Sequence, residues 1–258
     1  ELEELGYSAL WVPDVGGNLF EVLERLLGAT NHTTIATGIL NLWFHEAAGV
    51  AETHARFVET FGPRLLLGIG VSHQMLIDSQ EAGRYQRPLS AMRTYLDGLD
   101  GADPSLDREY RVLAALGPKM LELARDRAAG CHPYNVTPDH TRLAREAVGP
   151  DALVLPEQAV ALTSDADQAR QLGRAHLAMY LNLPNYANNI RRLGFGDEDF
   201  ADGGSDRMVD ALVAWGDEAA IMARVQEHRD AGADHVCLQV LSEAGMFPRE
   251  EWRRLAPV

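Results

Sequence analysis

The chain has 258 residues, 46% of them hydrophobic and 24% charged, with a net charge of −15. This composition supports a large core, and the acidic balance excludes a surface made to grip nucleic acid or anionic lipid, because both need clustered Lys and Arg. No apolar stretch reaches the ~20 residues of a membrane span, so a cytoplasmic protein without a membrane partner is expected.

Leu2 and Leu5 lead to Gly6, a helix stop, so the chain opens in what reads as the middle of an amphipathic helix. Ala9-Leu10-Trp11-Val12 follows as a strand that ends at Pro13-Asp14. Asn18 and Glu21 form a capping box, and Leu19, Val22, Leu23, Leu26 and Leu27 then repeat at helical spacing. Residues 35–40 are the next strand. Val50, His54, Phe57, Val58 and Phe61 mark a helix that Gly62-Pro63 terminates. Residues 65–71 form a strand-length apolar run that leads into Ser72 and His73. Arg84 to Leu99 reads as a helix after a polar loop, and Val112 to Leu116 as a strand. Gly117-Pro118 opens a helix that Gly130 closes, with proline inside the start and glycine past the end.

A short segment around Cys131 to Val136 precedes a helix that Thr137-Pro138 starts and Gly149 ends. Residues 152–162 read as a strand that continues past Pro156, and a helix follows from Asp165 to Tyr180. The region 181–215 breaks the rhythm with prolines and paired glycines and is read as a helical insertion, either a lid or a subunit contact. Asp217 to Ala231 is a helix capped by Gly232, and His235 to Leu241 is the last strand. Strands and helices alternate, which argues a single α/β domain over 1–258 with a parallel sheet and right-handed crossovers. Seven strand candidates are one short of a closed (β/α)8 barrel, so a first strand is expected upstream of Glu1.

The chain carries no Walker loop, no GxGxxG, no HExxH, no GxSxG and no clustered Cys/His set. No metal site is therefore expected, and Cys131 and Cys237 read as reduced core thiols. Chemistry is left to the strand ends. Asp14 either orients a substrate and moves protons or forms a plain turn. His45 follows Trp43-Phe44 in the loop after the second strand, where an aromatic-lined pocket would hold one histidine. Ser72 and His73 either hydrogen-bond a ligand or begin a loop. Gly38 either admits a ligand close to the backbone or relieves packing. The segment Gly117-Pro118-Lys119-Met120 places free N–H groups and a lysine at a helix start, which serves an anion or a plain cap equally. His132 is either a ligand donor or a satisfied wall histidine, and Thr137 is most simply an N-cap.

Together these segments resemble the luciferase-like monooxygenase superfamily, in its branch of coenzyme F420-dependent oxidoreductases. The matching stretches are Leu5 to Val12, Ala36-Thr37-Gly38-Ile39, Leu67-Gly68-Ile69-Gly70-Val71, Ala115 to Met120 and Ala231 to Val236. The resemblance implies a TIM barrel that holds a deazaflavin, or alternatively FMN, at the C-terminal ends of its strands, and transfers hydride to or from a small organic substrate. It implies that Gly38 and Ile39 lie against the ring. Ser72 and His73 would border the ring, Gly117, Pro118 and Lys119 would meet the phosphate, and His132 and Thr137 would line the same mouth. Asp14, His45 and His73 are then the substrate-side polar groups. The family's Glu-His or His/Trp pair after the first visible strand is replaced here by Asp14-Val15-Gly16-Gly17. A homodimer is expected, and a barrel that has lost turnover and only binds is the alternative from another class.

Overall fold

The computed structural model describes residues 1–243 and 246–257. By internal contacts the chain divides into two compact units, Tyr7–His132 and Pro133–Val258 together with Glu1–Gly6.

The first unit is a parallel sheet wrapped by helices. Its elements are β1 (Ala9–Val12), α1 (Leu19–Ala29), β2 (Thr34–Thr37), β3 (Leu40–Asn41), α2 (Ala47–Phe61), β4 (Leu65–Gly70), α3 (Gln74–Gln80), α4 (Pro88–Asp100), β5 (Arg111–Leu113), α5 (Pro118–Arg127) and β6 (Gly130–Cys131). The spatial order is β1-β2-β4-β5-β6, with β3 also on β4, and every pairing is parallel. Strands buried on both faces explain the continuous apolar runs: Ile35, Leu65, Leu67, Ile69, Val112 and Leu113 are all sealed from water. Because the strands are parallel, the loops that follow them all leave at one edge.

That sheet is curled. A flat sheet in this order would hold β1 and β6 about 19 Å apart, yet the Trp11 ring stacks on His132, next after β6, with centroids 4.1 Å apart and planes 14° from parallel. Glycine makes the curl possible. A Cβ on Gly68 would lie 2.0 Å from the Thr37 carbonyl oxygen, and one on Gly38 would lie 3.2 Å from His132 Nε2. Thr37 Oγ1 donates to the Gly68 carbonyl at 2.8 Å and locks the same approach.

Several expected boundaries move. The 35–40 strand is broken at Gly38-Ile39, whose peptide bond is cis, and resumes as β3. Arg84 to Arg87 are not helical: Pro88 opens α4, and its ring disfavours a helical Arg87, which sits at φ 45°. Gly130 does not close α5, which ends at Arg127; it is itself a strand residue paired with Val112. The α1 cap is as expected, with Asn18 Oδ1 accepting the Glu21 N–H and Glu21 bonding back to Asn18 Nδ2.

The second unit contains α6 (Pro138–Val148), β7 (Leu153–Val154), β8 (Glu157–Ala161), α7 (Ala166–Tyr180), α8 (Pro184–Arg192), α9 (Asp206–Leu212), β9 (Val213–Trp215), α10 (Glu218–Asp230), β10 (Cys237–Val240) and α11 (Arg249–Arg254). Its parallel sheet runs β10-β8-β9. The strand expected over 152–162 is therefore two, separated at Leu155-Pro156. The 181–215 segment is not wholly a helical insertion: its last residues form β9, in register with Ala159–Ala161. Among the described residues no helix is long and apolar enough to cross a membrane, and both cysteines are free thiols.

Candidate functional site

The edge of the first unit where its parallel strands end gathers most of the residues picked out above. After β1, the Asp14 Oδ2 atom accepts the Asn41 N–H at 3.1 Å and meets His45 Nε2 at 2.9 Å. The Asp14 side chain is only 6% exposed and that of His45 20%. Burial pushes the Asp14 carboxyl upward, but the His45 hydrogen bond and the Asn41 N–H outweigh it and hold the group below the ordinary carboxylate range. A carboxylate can only accept, so His45 donates from Nε2 to Asp14. The Phe20 ring packs edge-on against His45 at 5.3 Å. Two residues chosen separately in the sequence are thus one carboxylate–imidazole pair, and Asn41, which was not chosen, anchors it through its backbone.

The loop that carries His45 is tied to the next strand end. Trp43 Nε1 donates to the Val71 carbonyl at 2.8 Å, Leu42 N–H to the Gly70 carbonyl at 3.1 Å, and Trp43 packs on Tyr85. Ser72 then adopts φ 55°, a left-handed backbone that is uncommon for any residue but glycine. His73 precedes α3 and is half-buried, and that burial lowers its basicity, so it is neutral at physiological pH.

Gly38 packs against Trp11 and His132, and the Ile39 side chain fills the space a Cβ on Gly70 would need, 2.6 Å away. His132 is 3% exposed, whereas Trp11, Gly38 and Ile39 keep partial exposure. Trp11 escaped the sequence reading because an aromatic residue in a strand looks like core. At the end of β5, Gly117 caps α5 without a side chain, Pro118 takes the first helical position, and Lys119 is exposed. The Gly117 and Lys119 amides and the Lys119 ammonium are donors of the kind an anion takes at a helix start. Thr137 belongs to the second unit, where its hydroxyl accepts the His140 N–H at 3.5 Å as the N-cap of α6.

The start of α5 carries no side-chain cap and Lys119 beside it is exposed, the donor set an anionic tail would need, whereas the space a Cβ on Gly38 would take is already held by His132 and Trp11. A hollow of about 360 Å³ elsewhere in the unit, at the opposite sheet edge, is lined by Asp100, Arg108, Arg111 and Arg127. It does not compete as an anion site, because Arg111 already donates to the Arg127 and Leu106 carbonyls and to Asp100. Among the described residues, no group of three or more His, Cys, Asp or Glu is arranged to hold a metal.

Comparison with known proteins follows the same line. A family model described as luciferase-like monooxygenase matches residues 1–235. A 5,10-methylenetetrahydromethanopterin reductase of Methanolobus tindarius is 24% identical over 296 aligned positions, which cover 96% of this chain and 89% of the relative. Among solved structures, the coenzyme F420-dependent tetrahydromethanopterin reductase of Methanopyrus kandleri superposes with a TM-score of 0.77 at 18% identity, over 98% of this chain and 90% of that one. A type II Baeyer-Villiger monooxygenase component of Pseudomonas putida, solved with FMN, gives 0.63 at 15% identity, over 98% and 87%.

Proposed function

Because the chain belongs to the luciferase-like monooxygenase family, a family of oxidoreductases, we propose that it is an F420-dependent oxidoreductase that transfers hydride between a deazaflavin and a small organic substrate. The observation that carries this reading is the Trp11–His132 stack beside Gly38, with Trp11, Gly38 and Ile39 still partly exposed at the strand ends. We propose that Trp11, Gly38 and Ile39 bed the ring, with His132 buttressing them, and that Ser72 and His73 border it. The Gly117 and Lys119 N–H groups and the Lys119 ammonium would hold the phosphate, with Pro118 fixing the first helical turn. A bound deazaflavin supplies the hydride chemistry; the protein supplies position and proton handling. Asp14 fixes the His45 ring with its proton on Nε2, which leaves Nδ1 to accept a proton or orient a substrate hydroxyl. His73, kept neutral by burial, is a second hydrogen-bonding group on the same edge. Thr137 keeps the role of a helix cap.

The finer architecture we propose is the closed eight-stranded barrel of the family, supported by the curl of the first unit's sheet, and the working assembly is a homodimer in the cytoplasm. The test is a fluorescence titration of the full chain with F420, with its phosphate-free ring-and-ribityl analogue, and with FMN. Saturable binding of F420 that is tighter than that of the phosphate-free analogue supports the reading. Preference for FMN transfers it to the flavin branch of the family, and failure of all three to bind overturns it.

A further inference from the structure

The second unit buries a carboxyl that the proposed reaction does not use. Glu157, the first residue of β8, is 2% exposed. Its Oε2 accepts the Asn135 N–H at 3.2 Å, and Oε1 has no hydrogen-bond partner among the described residues. The bond to Asn135 holds a residue at φ 54°, in the region that non-glycine residues seldom occupy. The Asn135 side chain is engaged as well: its Oδ1 lies 2.9 Å from His176 Nε2, which therefore donates.

The ionisable groups that feel the Glu157 carboxyl are neutral ones. The turn after β6 brings Tyr134, α7 brings Tyr180 and, behind Asn135, His176, α8 brings Tyr186, and β10 brings Cys237. Burial pushes the three phenols and the thiol upward, and holds His176 down to about 4, so none of them is charged near neutrality. No arginine or lysine among the described residues acts on the carboxyl. The tyrosines pack on one another, with Tyr134–Tyr180 centroids 5.3 Å apart and Tyr180–Tyr186 5.0 Å. Tyr134 spends its one hydroxyl proton on Gln239 Oε1 at 2.7 Å, so Tyr180 is the donor in the 3.2 Å contact between the two phenols.

We propose that Glu157 is a protonation latch: while neutral it pins the 133–137 turn and allows the three tyrosines to close over it, and on losing its proton it loosens the corner where α7 meets α8. The reason is solvation. A carboxylate held by a single N–H among neutral neighbours is an uncompensated buried charge, and the structure relieves it most readily by letting water in past Tyr134 and Tyr180, which are partly exposed where Tyr186 is buried. Burial, only partly offset by the Asn135 N–H, pushes the Glu157 carboxyl up to about 8. The folded form therefore holds a proton that the unfolded chain gives up, and the stability gained from the neutral group is lost as pH rises through about 8.

The experiment follows near-UV circular dichroism of the tyrosines and the thermal midpoint of the full chain from about pH 6.5 to about pH 9.5, a window in which ordinary carboxylates do not titrate. The intact protein should lose tyrosine signal centred near the pH at which Glu157 ionises, and its thermal midpoint should fall by several degrees as pH rises toward that point and level off above it. Glu157→Gln keeps an oxygen for the Asn135 N–H and cannot ionise, so it should hold both readouts flat. Infrared difference spectra of the unmodified protein give a reading that needs no variant: the carbonyl stretch of a neutral carboxylic acid should vanish over the same range. No loss of that band, or a Glu157→Gln signal that falls in step with the unmodified protein, overturns the latch.

Discussion

Asp14 and Glu157 are both nearly hidden from solvent, and they behave in opposite ways. Asp14, at the strand ends of the first unit, has an imidazole and a backbone N–H on one oxygen and is held ionised. Glu157, inside the second unit, has one N–H and a wall of phenols and is held neutral. Burial is common to both; the donors decide the charge. The same contrast separates the two regions. The strand-end edge leaves its histidine, His45, partly exposed, at 20%. The second unit locks its own into the interior, as in the chain Thr141–His228–Gln158. There the Gln158 amide donates to the Ala159 and Leu212 carbonyls, so His228 donates Nε2–H to Gln158 Oε1 at 2.9 Å and accepts the Thr141 hydroxyl on Nδ1 at 2.8 Å. Changes in the first region should alter binding and turnover with little loss of stability, and changes in the second should do the reverse.

The largest effect should come from His228→Leu. It strands the Thr141 hydroxyl and the Gln158 carbonyl oxygen in a site that is fully buried, and should cost about 4 kcal/mol in denaturant unfolding, with cofactor affinity unchanged. The pH profile sharpens the point. Burial, with Arg224 and His140 adding, lowers His228 to about 4, so the unfolded chain binds a proton that the folded one refuses. Stability should fall as pH drops from about 6.5 through about 4, by up to about 3 kcal/mol from this residue, and the His228→Leu variant should lack that share of the slope.

Asp14→Asn tests the other side. With the carboxylate gone, His45 loses the partner that fixes its tautomer, and turnover should drop about 100-fold while the unfolding midpoint hardly moves; a large stability loss with unchanged kcat would reverse the contrast. The smallest effect is expected from Lys119→Ala, a roughly three- to ten-fold weaker F420 affinity with no change for the phosphate-free analogue, which titration at two salt concentrations would read.

Local chemistry made much of this legible in the sequence. The apolar run of β4, the Asn18–Glu21 cap, the Pro118 start and the glycine after α10 are each set by residues within a few positions of one another. Asp14, His45 and His73 stood out because polar residues at the ends of buried strands are unusual. What stayed hidden depends on distant partners. The Asp14–His45 contact spans 31 positions and His228–Gln158 spans 70, and no local pattern encodes either. Glu157 sat unremarked inside the expected 152–162 strand, since nothing near it in sequence reveals three tyrosines. β9 has only three residues and follows a helix without a turn signal, so the rhythm concealed it.

The most direct test of the account is a crystal structure of the protein with F420 bound. It should show the tricyclic ring lying on Trp11, Gly38 and Ile39, with the phosphate within hydrogen-bond reach of the Gly117–Lys119 backbone. A phosphate seated at the opposite edge of the sheet, beside Arg108 and Arg111, would contradict it.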